Sequence, residues 1–508
     1  MNYISTRGGE SGLRSAYAIA KGLAKDKGLY TPDRLPELYK SDFQKMASMD
    51  YAGRAAYILG MFLDDFTPEE LGEYTKKAYS KEKFRRAGEP KKNAPKLDGT
   101  AIKKIGDREY ILELFHGPTS AFKDMALQIL PYLLTASLRK IGEKRTVCIL
   151  VATSGDTGKA ALEGFRDVEG TKIAVFYPEH GVSDVQKLQM ATQKGNNVGV
   201  CAVDGNFDDA QTGVKRIFSD EKIAEKLDSE EKFLSSANSI NWGRLAPQVV
   251  YYISAYLDMV SSGDISFGDK INICVPTGNF GNILAAYIAG EMGLPVGRFI
   301  CASNANNVLT DFINTGVYDR NRQFYKTLSP SMDILISSNV ERLLYYMSGS
   351  NNSHDCGFVA SAMESLNETG KYTLPENMAK SLRERFFAGC CDDEDTKSTI
   401  KDVFENEDYL IDTHTAVAVK VYRDYALETG DKTPTVIAST ASAFKFSAGV
   451  MEALTGKTYE NDLDSIDALS EYTGEAVPGP LSGLKNLSVR FKGSVAKDGM
   501  KEVLSSLI

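Results

Sequence analysis

The chain has 508 residues, 43% of them hydrophobic and 25% charged, which allows roughly two to four compact units, each with a core of its own. A formal net charge of -9 excludes partners held by bulk attraction to a polyanion, so neither nucleic acid nor an anionic membrane is expected. Seven cysteines without a C-x-x-C pair exclude a disulfide framework.

The start, MNYISTRGGESGL, lacks the basic and apolar blocks of a signal peptide, and no apolar run approaches the ~18–20 residues of a membrane span. A cytoplasmic protein is expected. YAGRAAYILGMFLDDFTPEELGEYTKKAYS (51–80) has helical periodicity, predicting a mostly helical N-terminal domain over 1–95. AGEPKKNAPKLDG, rich in Pro, Lys and Gly, predicts a linker near 87–99.

From residue 146 strands and helices alternate. TVCILVA, KIAVFYP and NVGVCAV are short apolar runs separated by helical stretches, a pattern that predicts a small α/β domain with a parallel sheet over 146–235. INICVP (271–276) opens a second α/β unit, after a segment read as an interrupted helix, NSINWGRLAPQVVYYISAYLDMV. Residues 96–145 and 236–508 are assigned to this larger domain. A cleft between two such units is a common ligand site.

Three loops carry candidate chemistry. In VPTGNFGNIL, a strand ends in a glycine-containing turn that restarts as a helix, so backbone N–H groups converge at the positive end of the helix dipole. Gly278 and Gly281 allow close approach of an anion, and Asn279 and Asn282 can cap or donate; a tight turn shaped by packing alone is the plain alternative. TSGDTGK (153–159) repeats that layout and adds the hydroxyls of Thr153, Ser154 and Thr157. It lacks the glycine and hydroxyl positions of a nucleotide P-loop, and neither loop carries the dinucleotide fingerprint, which disfavours nicotinamide chemistry. A small cradle for a carboxylate or phosphate remains, or simply a capped helix. The third loop, FHGPTSAFKDM (115–125), sets Lys123 between an aromatic residue and Asp124. A lysine among apolar and cationic groups can lose its proton and attack a carbonyl. Two anion cradles and a poised lysine together meet the protein-side needs of pyridoxal phosphate.

HGPTSAFKDMALQ resembles the pyridoxal-lysine signature of the threonine synthase family. VPTGNFGN resembles its coenzyme-phosphate loop, ATSGDTGKAA its substrate-anion loop, and NSINWGRLAPQ the segment after its small domain. STRG (5–8), GLAKDKGLYTP (22–32), IDTHTAVA and ASTASAFKF extend the likeness to the long-chain branch of that family, in order, over nearly the whole chain.

This resemblance implies the fold-type II architecture of pyridoxal-phosphate enzymes, two α/β units around a cleft, and a coenzyme bound as a Schiff base on Lys123. It implies that Gly278, Asn279, Phe280, Gly281 and Asn282 hold the coenzyme phosphate and that Thr440 faces the pyridine nitrogen. Thr153, Ser154, Asp156 and Thr157 would hold the substrate carboxylate, and Lys159, Asn241 and Arg244 the leaving phosphate. The implied reaction converts O-phospho-L-homoserine and water to L-threonine and phosphate, in a monomer or homodimer. The alternative is a phospho-lyase acting on O-phosphoserine or O-phosphothreonine; a catalytically inert scaffold would lack the lysine. Asp156 stands where shorter relatives have asparagine, which leaves the partner of the coenzyme ring oxygen open. No metal is implied: the four histidines lack ligand spacing, and His116 would line the site or cap a turn. Trp242 is read as a packing residue.

Overall fold

The computed structural model describes residues 1–88, 100–180, 182–349 and 353–508. The linker expected at 87–99 therefore lies almost wholly outside the described residues.

Strands such as INICVP and TVIAS are buried along their whole length, as suits the middle of a parallel sheet covered on both faces. They sit in a six-stranded sheet ordered Phe386–Cys390, Val296–Ser303, Ile271–Pro276, Thr435–Ser439, Glu109–Glu113, Ala101–Lys104. Its neighbours run parallel except the last pair. A second, five-stranded sheet is ordered Ser494–Ala496, Val198–Asp204, Thr171–Pro178, Thr146–Ala152, Lys232–Ser235 and is parallel throughout.

The second sheet takes in a strand from late in the chain. Ser494–Ala496, assigned above to the large domain, pairs with Val198–Asp204 instead, and the following helix Met500–Leu507 buries Met500 and Leu504 in the small core. A three-residue strand gives no periodic signal, which hid this return. The interruption expected in the segment before Ile271–Pro276 is corrected: Trp242–Ser262 is one helix with Pro247 inside it. Pro247 lies in the second turn, and burial on nearly every side outweighs the roughly 3 kcal/mol that an interior proline costs.

The N-terminal region pairs Tyr3–Ser5 with Tyr30–Pro32 and adds four helices, Ser15–Lys21, Lys40–Ala47, Tyr51–Phe62 and Pro68–Ala78. Tyr51–Phe62 packs on the Trp242–Ser262 helix, where Arg54 Nη1 lies 2.6 Å from Asp258 Oδ1. Trp242 is wedged edge-on against Tyr3 and Phe62, a packing role as expected.

Four parallel strands end in the loops singled out by sequence: 109–113 leads to the lysine loop, 146–152 to TSGDT, 271–276 to TGNFGN, and 435–439 to TASAFKF. The carboxyl ends of such strands are where open α/β sheets bind ligands.

Candidate active site

The lysine loop is folded by its own aspartate. Asp124 accepts from the backbone N–H and the hydroxyl of Thr119, each at 2.8 Å. A Cβ on Gly117 would lie 2.5 Å from Asp124 Oδ2, so this turn closes only on glycine. Asp124 is thus spent on the loop and does not pair with Lys123. Phe122 N–H donates to Thr440 O at 2.8 Å and Ser442 N–H to Ser120 O at 3.1 Å, which lays the loop alongside the segment after Thr435–Ser439. His116 Nε2 lies 2.8 Å from Glu113 Oε2 and braces the loop from its start.

Lys123 emerges just before the short helix Asp124–Leu127, its side chain 10% exposed and its Nζ 3.5 Å from Asp156 Oδ2. Burial pushes the amine down to about 8; Asp156 opposes the shift, and the charges of Arg244 and Lys445 add to it. Burial works against the Asp156 carboxylate too, but Lys445, Lys123 and a 2.6 Å bond from Gln186 hold it well below the usual carboxylate range.

In the TSGDT loop, Gly155 has φ +140, and a Cβ there would lie 2.3 Å from Gln186 Oε1. Thr153 Oγ1 accepts from Gly155 N–H at 2.9 Å and Gly158 N–H at 3.0 Å, so this hydroxyl braces the loop rather than waiting for a ligand. Ser154 and Thr157 are partly exposed. The helix Asp156–Phe165 gets no side-chain cap from its N-cap residue Gly155, so that of its first-turn N–H groups only that of Gly158 is met by a side chain, Thr153.

The Gly278–Asn282 loop shows the same economy. Gly278 O accepts from Ser337 at 2.7 Å, and Asn279 O accepts from the N–H and side chain of Asn339. Loop acceptors are used from outside, while the helix Gly281–Glu291 begins with no side-chain cap on its first-turn N–H groups. Phe280 takes the left-handed conformation, φ 60, with its ring buried against Phe386. Asn282 Oδ1 accepts from Tyr251 at 2.8 Å and from Tyr252, and its Nδ2 is buried without a partner.

One helix face joins the two cradles. Arg244, Gln248 and Tyr251 follow at helical spacing: Arg244 Nη2 reaches Thr157 Oγ1 at 3.4 Å, Gln248 Oε1 lies 3.1 Å from the Tyr251 hydroxyl, and that hydroxyl donates to Asn282 at the shorter distance. Arg244 is buried, bonds Ala237 O at 2.9 Å, and is pushed by burial down to about 10. Asn241 sits apart: its amide bonds Ile19 O and Ser236 O, and its oxygen caps the helix through Gly243 N–H. Every polar position of that side chain is occupied. Lys159 bonds Glu163 at 3.3 Å and Gln193, a pairing within the small unit.

Sequence reasoning missed Tyr251, Tyr252, Gln186 and Lys445. The lysine of AFKF, alone among small and apolar residues, was the available signal. Of the other histidines, His414 accepts from Ser331 N–H at 3.1 Å and contacts Asp412 at 2.8 Å; His180 is exposed and His354 packs on Tyr345.

Family models for the threonine synthase N terminus, pyridoxal-phosphate-dependent enzymes and the threonine synthase C-terminal region match residues 2–79, 90–441 and 415–499. Threonine synthase of Pseudomonas aeruginosa is 36% identical, over 90% of this chain and 91% of that protein. The chain belongs to the threonine synthase family. Human threonine synthase-like 1 is 42% identical over 86% of this chain, which spans only 57% of that longer protein. A crystal structure of pyridoxal-phosphate-bound threonine synthase from Brucella melitensis superposes with a TM-score of 0.84 at 33% identity, covering 100% of this chain and 98% of that one.

The family's fold is the fold-type II architecture anticipated above, and its coenzyme, pyridoxal phosphate, fits the residues present. The cradle at 278–282 tolerates no side chain at its first glycine, since a Cβ on Gly278 would lie 2.5 Å from Ser331 O. It also offers uncapped N–H groups and an unpartnered amide. Among the described residues no cluster suits a metal ion, and no helix is long and apolar enough to cross a membrane.

Proposed function

We propose that the chain converts O-phospho-L-homoserine and water to L-threonine and inorganic phosphate. The observation that carries this reading is electrostatic: Lys123 and Lys445 share the single carboxylate of Asp156, and a third buried cation, Arg244, bears on Lys123 from beside Thr157. Such a surplus of positive charge suits a substrate bearing both a carboxylate and a phosphate.

When bound, the coenzyme supplies an electron sink conjugated to the substrate's amino nitrogen. In this proposal Gly278, Asn279, Phe280, Gly281 and Asn282 hold its phosphate, Lys123 carries it, and Thr440 offers a neutral hydroxyl to the ring nitrogen. Ser154, Thr157 and the backbone N–H groups of Asp156 and Thr157 hold the substrate carboxylate, with Thr153 keeping that turn in shape through Gly158. Once the substrate amine has displaced it, Lys123 moves protons at Cα and Cβ until the phosphate departs, and water then adds at Cβ. Asp156 remains ionised and receives the Lys123 ammonium between transfers. Arg244, a buried guanidinium whose bonds go to a carbonyl and a hydroxyl, takes the leaving phosphate; Asn241 acts behind it as a helix cap. The domain division, with the small unit at 146–235 completed by residues 494–508, belongs to the same proposal, as does a cytoplasmic monomer or homodimer.

The test is phosphate release from O-phosphohomoserine with chromatographic identification of the amino acid. Threonine and phosphate in equal amounts are expected. A keto acid and ammonia formed from O-phosphothreonine, with no threonine from O-phosphohomoserine, would overturn the proposal in favour of a phospho-lyase.

A further inference from the structure

Lys445 lies in the turn Ala443–Phe446, with its side chain fully buried. A buried ammonium is costly unless its hydrogen bonds are met, so its partners indicate its purpose. One is Thr119 O on the lysine loop, at 3.0 Å; the other is Asp156 Oδ1 on the anion loop, at 2.6 Å. Thr119 is the same residue that Asp124 uses to close the lysine loop. A single ammonium therefore ties together a loop from each sheet.

We propose that Lys445 is a positioning residue for Lys123: it fixes the Asp156 carboxylate between two amines, so that Lys123 receives only a share of its counter-ion and stays nucleophilic. The two carboxylate oxygens are divided accordingly. Oδ1 accepts from Lys445 and Gln186, while Oδ2 faces Lys123 at the longer distance of 3.5 Å.

The charged groups facing Lys123 are Asp156 from the Asp156–Phe165 helix, Arg244 from the Trp242–Ser262 helix and Lys445 from its turn. Asp124, raised by burial to about 7, stands behind Thr119 and faces Lys445. Loss of the Lys445 charge removes a repelling cation and leaves Asp156 to Lys123 alone; both effects strengthen the amine's hold on its proton. Loss of the Asp156 charge does the opposite, and loss of both leaves the amine between the parent and the Asp156 variant, because Asp156 is the larger influence. A residue that merely filled space would not produce opposite signs.

The experiment reads the amine directly, in the full chain freed of coenzyme. Trace acetic anhydride labelling is followed by mass spectrometry of the peptide carrying Lys123, from about pH 6 to 10. Lys445→Met should move the labelling midpoint up by about one pH unit, making labelling about tenfold slower at a fixed pH below it. Asp156→Asn should move the midpoint down, Lys445→Arg should stay near the parent, and the double variant Lys445→Met/Asp156→Asn should fall between the parent and Asp156→Asn. A Lys445→Met midpoint that stays put, or follows Asp156→Asn, overturns the proposal. Should Lys445→Met not fold, the double variant decides together with Asp156→Asn: a midpoint unmoved by Asp156→Asn, or a double variant whose midpoint is no higher than that of Asp156→Asn, overturns it equally. The inference takes its meaning from Lys123 as the coenzyme lysine, but no substrate is used, so it stands or falls independently of threonine formation.

Discussion

At the scale of single residues, the site turns on how readily one amine gives up a proton. Lys123, with an ordinary value of 10.5, is brought to about 8, burial being the largest cause. Below that pH the ammonium dominates and cannot attack an aldehyde; above it the neutral amine dominates. Uptake of pyridoxal phosphate by the coenzyme-free chain should therefore accelerate about tenfold per pH unit toward pH 8 and level off above it. Stopped-flow absorbance would show this profile, and a rate independent of pH between about 6 and 8 would contradict it. Lys123→Ala should leave no protein-bound coenzyme after borohydride reduction, read by intact mass.

At the scale of elements, the loops work because their neighbours hold one edge and leave the other free. Gly278 is the sharpest instance: its missing Cβ leaves room for Ser331 O, and Ser331 N–H is in turn held by His414. Gly278→Ala must push back the turn Pro330–Met332 or shift the loop. The strain expected is about 1–3 kcal/mol, with at least a tenfold loss of coenzyme affinity in equilibrium titration. Unchanged affinity would mean that the loop does not carry the phosphate.

The same elements explain what could be read in advance. TVCILVA and INICVP announce buried parallel strands because apolar runs of that length need cover on both faces, and the glycine turns after them follow from that layout. The lysine motif was legible because Gly117, Thr119, Lys123 and Asp124 act within a few residues of one another. What Lys445 and Gln186 bind was not, since their partnership with Asp156 spans 289 and 30 positions, respectively, and no local pattern encodes it. Asn241 was assigned to an anion although a helix start beginning Asn-Trp-Gly is a sound capping signal. Ser494–Ala496 was missed because its only reason to be a strand is the open edge of Val198–Asp204.

At the scale of the molecule, a second buried cation joins the N-terminal region to the loop at 278–282. Arg342 donates to Tyr30 O at 2.7 Å, to Ile240 O at 2.5 Å and to Asn339 Oδ1 at 2.6 Å, and its guanidinium lies 5.8 Å from the Trp242 ring. Asn339 in turn grips Asn279 O, so a chain of bonds runs from Tyr30 to the loop at 278–282. Next to it, Glu341 takes both Arg7 and Thr6 from the N-terminal stretch. The N-terminal region thus acts as a buttress for the cradle. Arg342→Met keeps the volume but leaves Tyr30 O, Ile240 O and Asn339 Oδ1 without their donor, at roughly 1–3 kcal/mol for each acceptor that stays buried and unmet. The expected outcome is joint: amide hydrogen exchange should rise together around Tyr30, Ile240 and Asn279, far apart in sequence, and bound pyridoxal phosphate should dissociate faster. If exchange rises only around position 342 and coenzyme release is unchanged, the N-terminal region packs against the catalytic body without supporting the cradle. Coupling is favoured because the guanidinium meets the three acceptors at once, and no other side chain of similar size carries donors in that fixed fork.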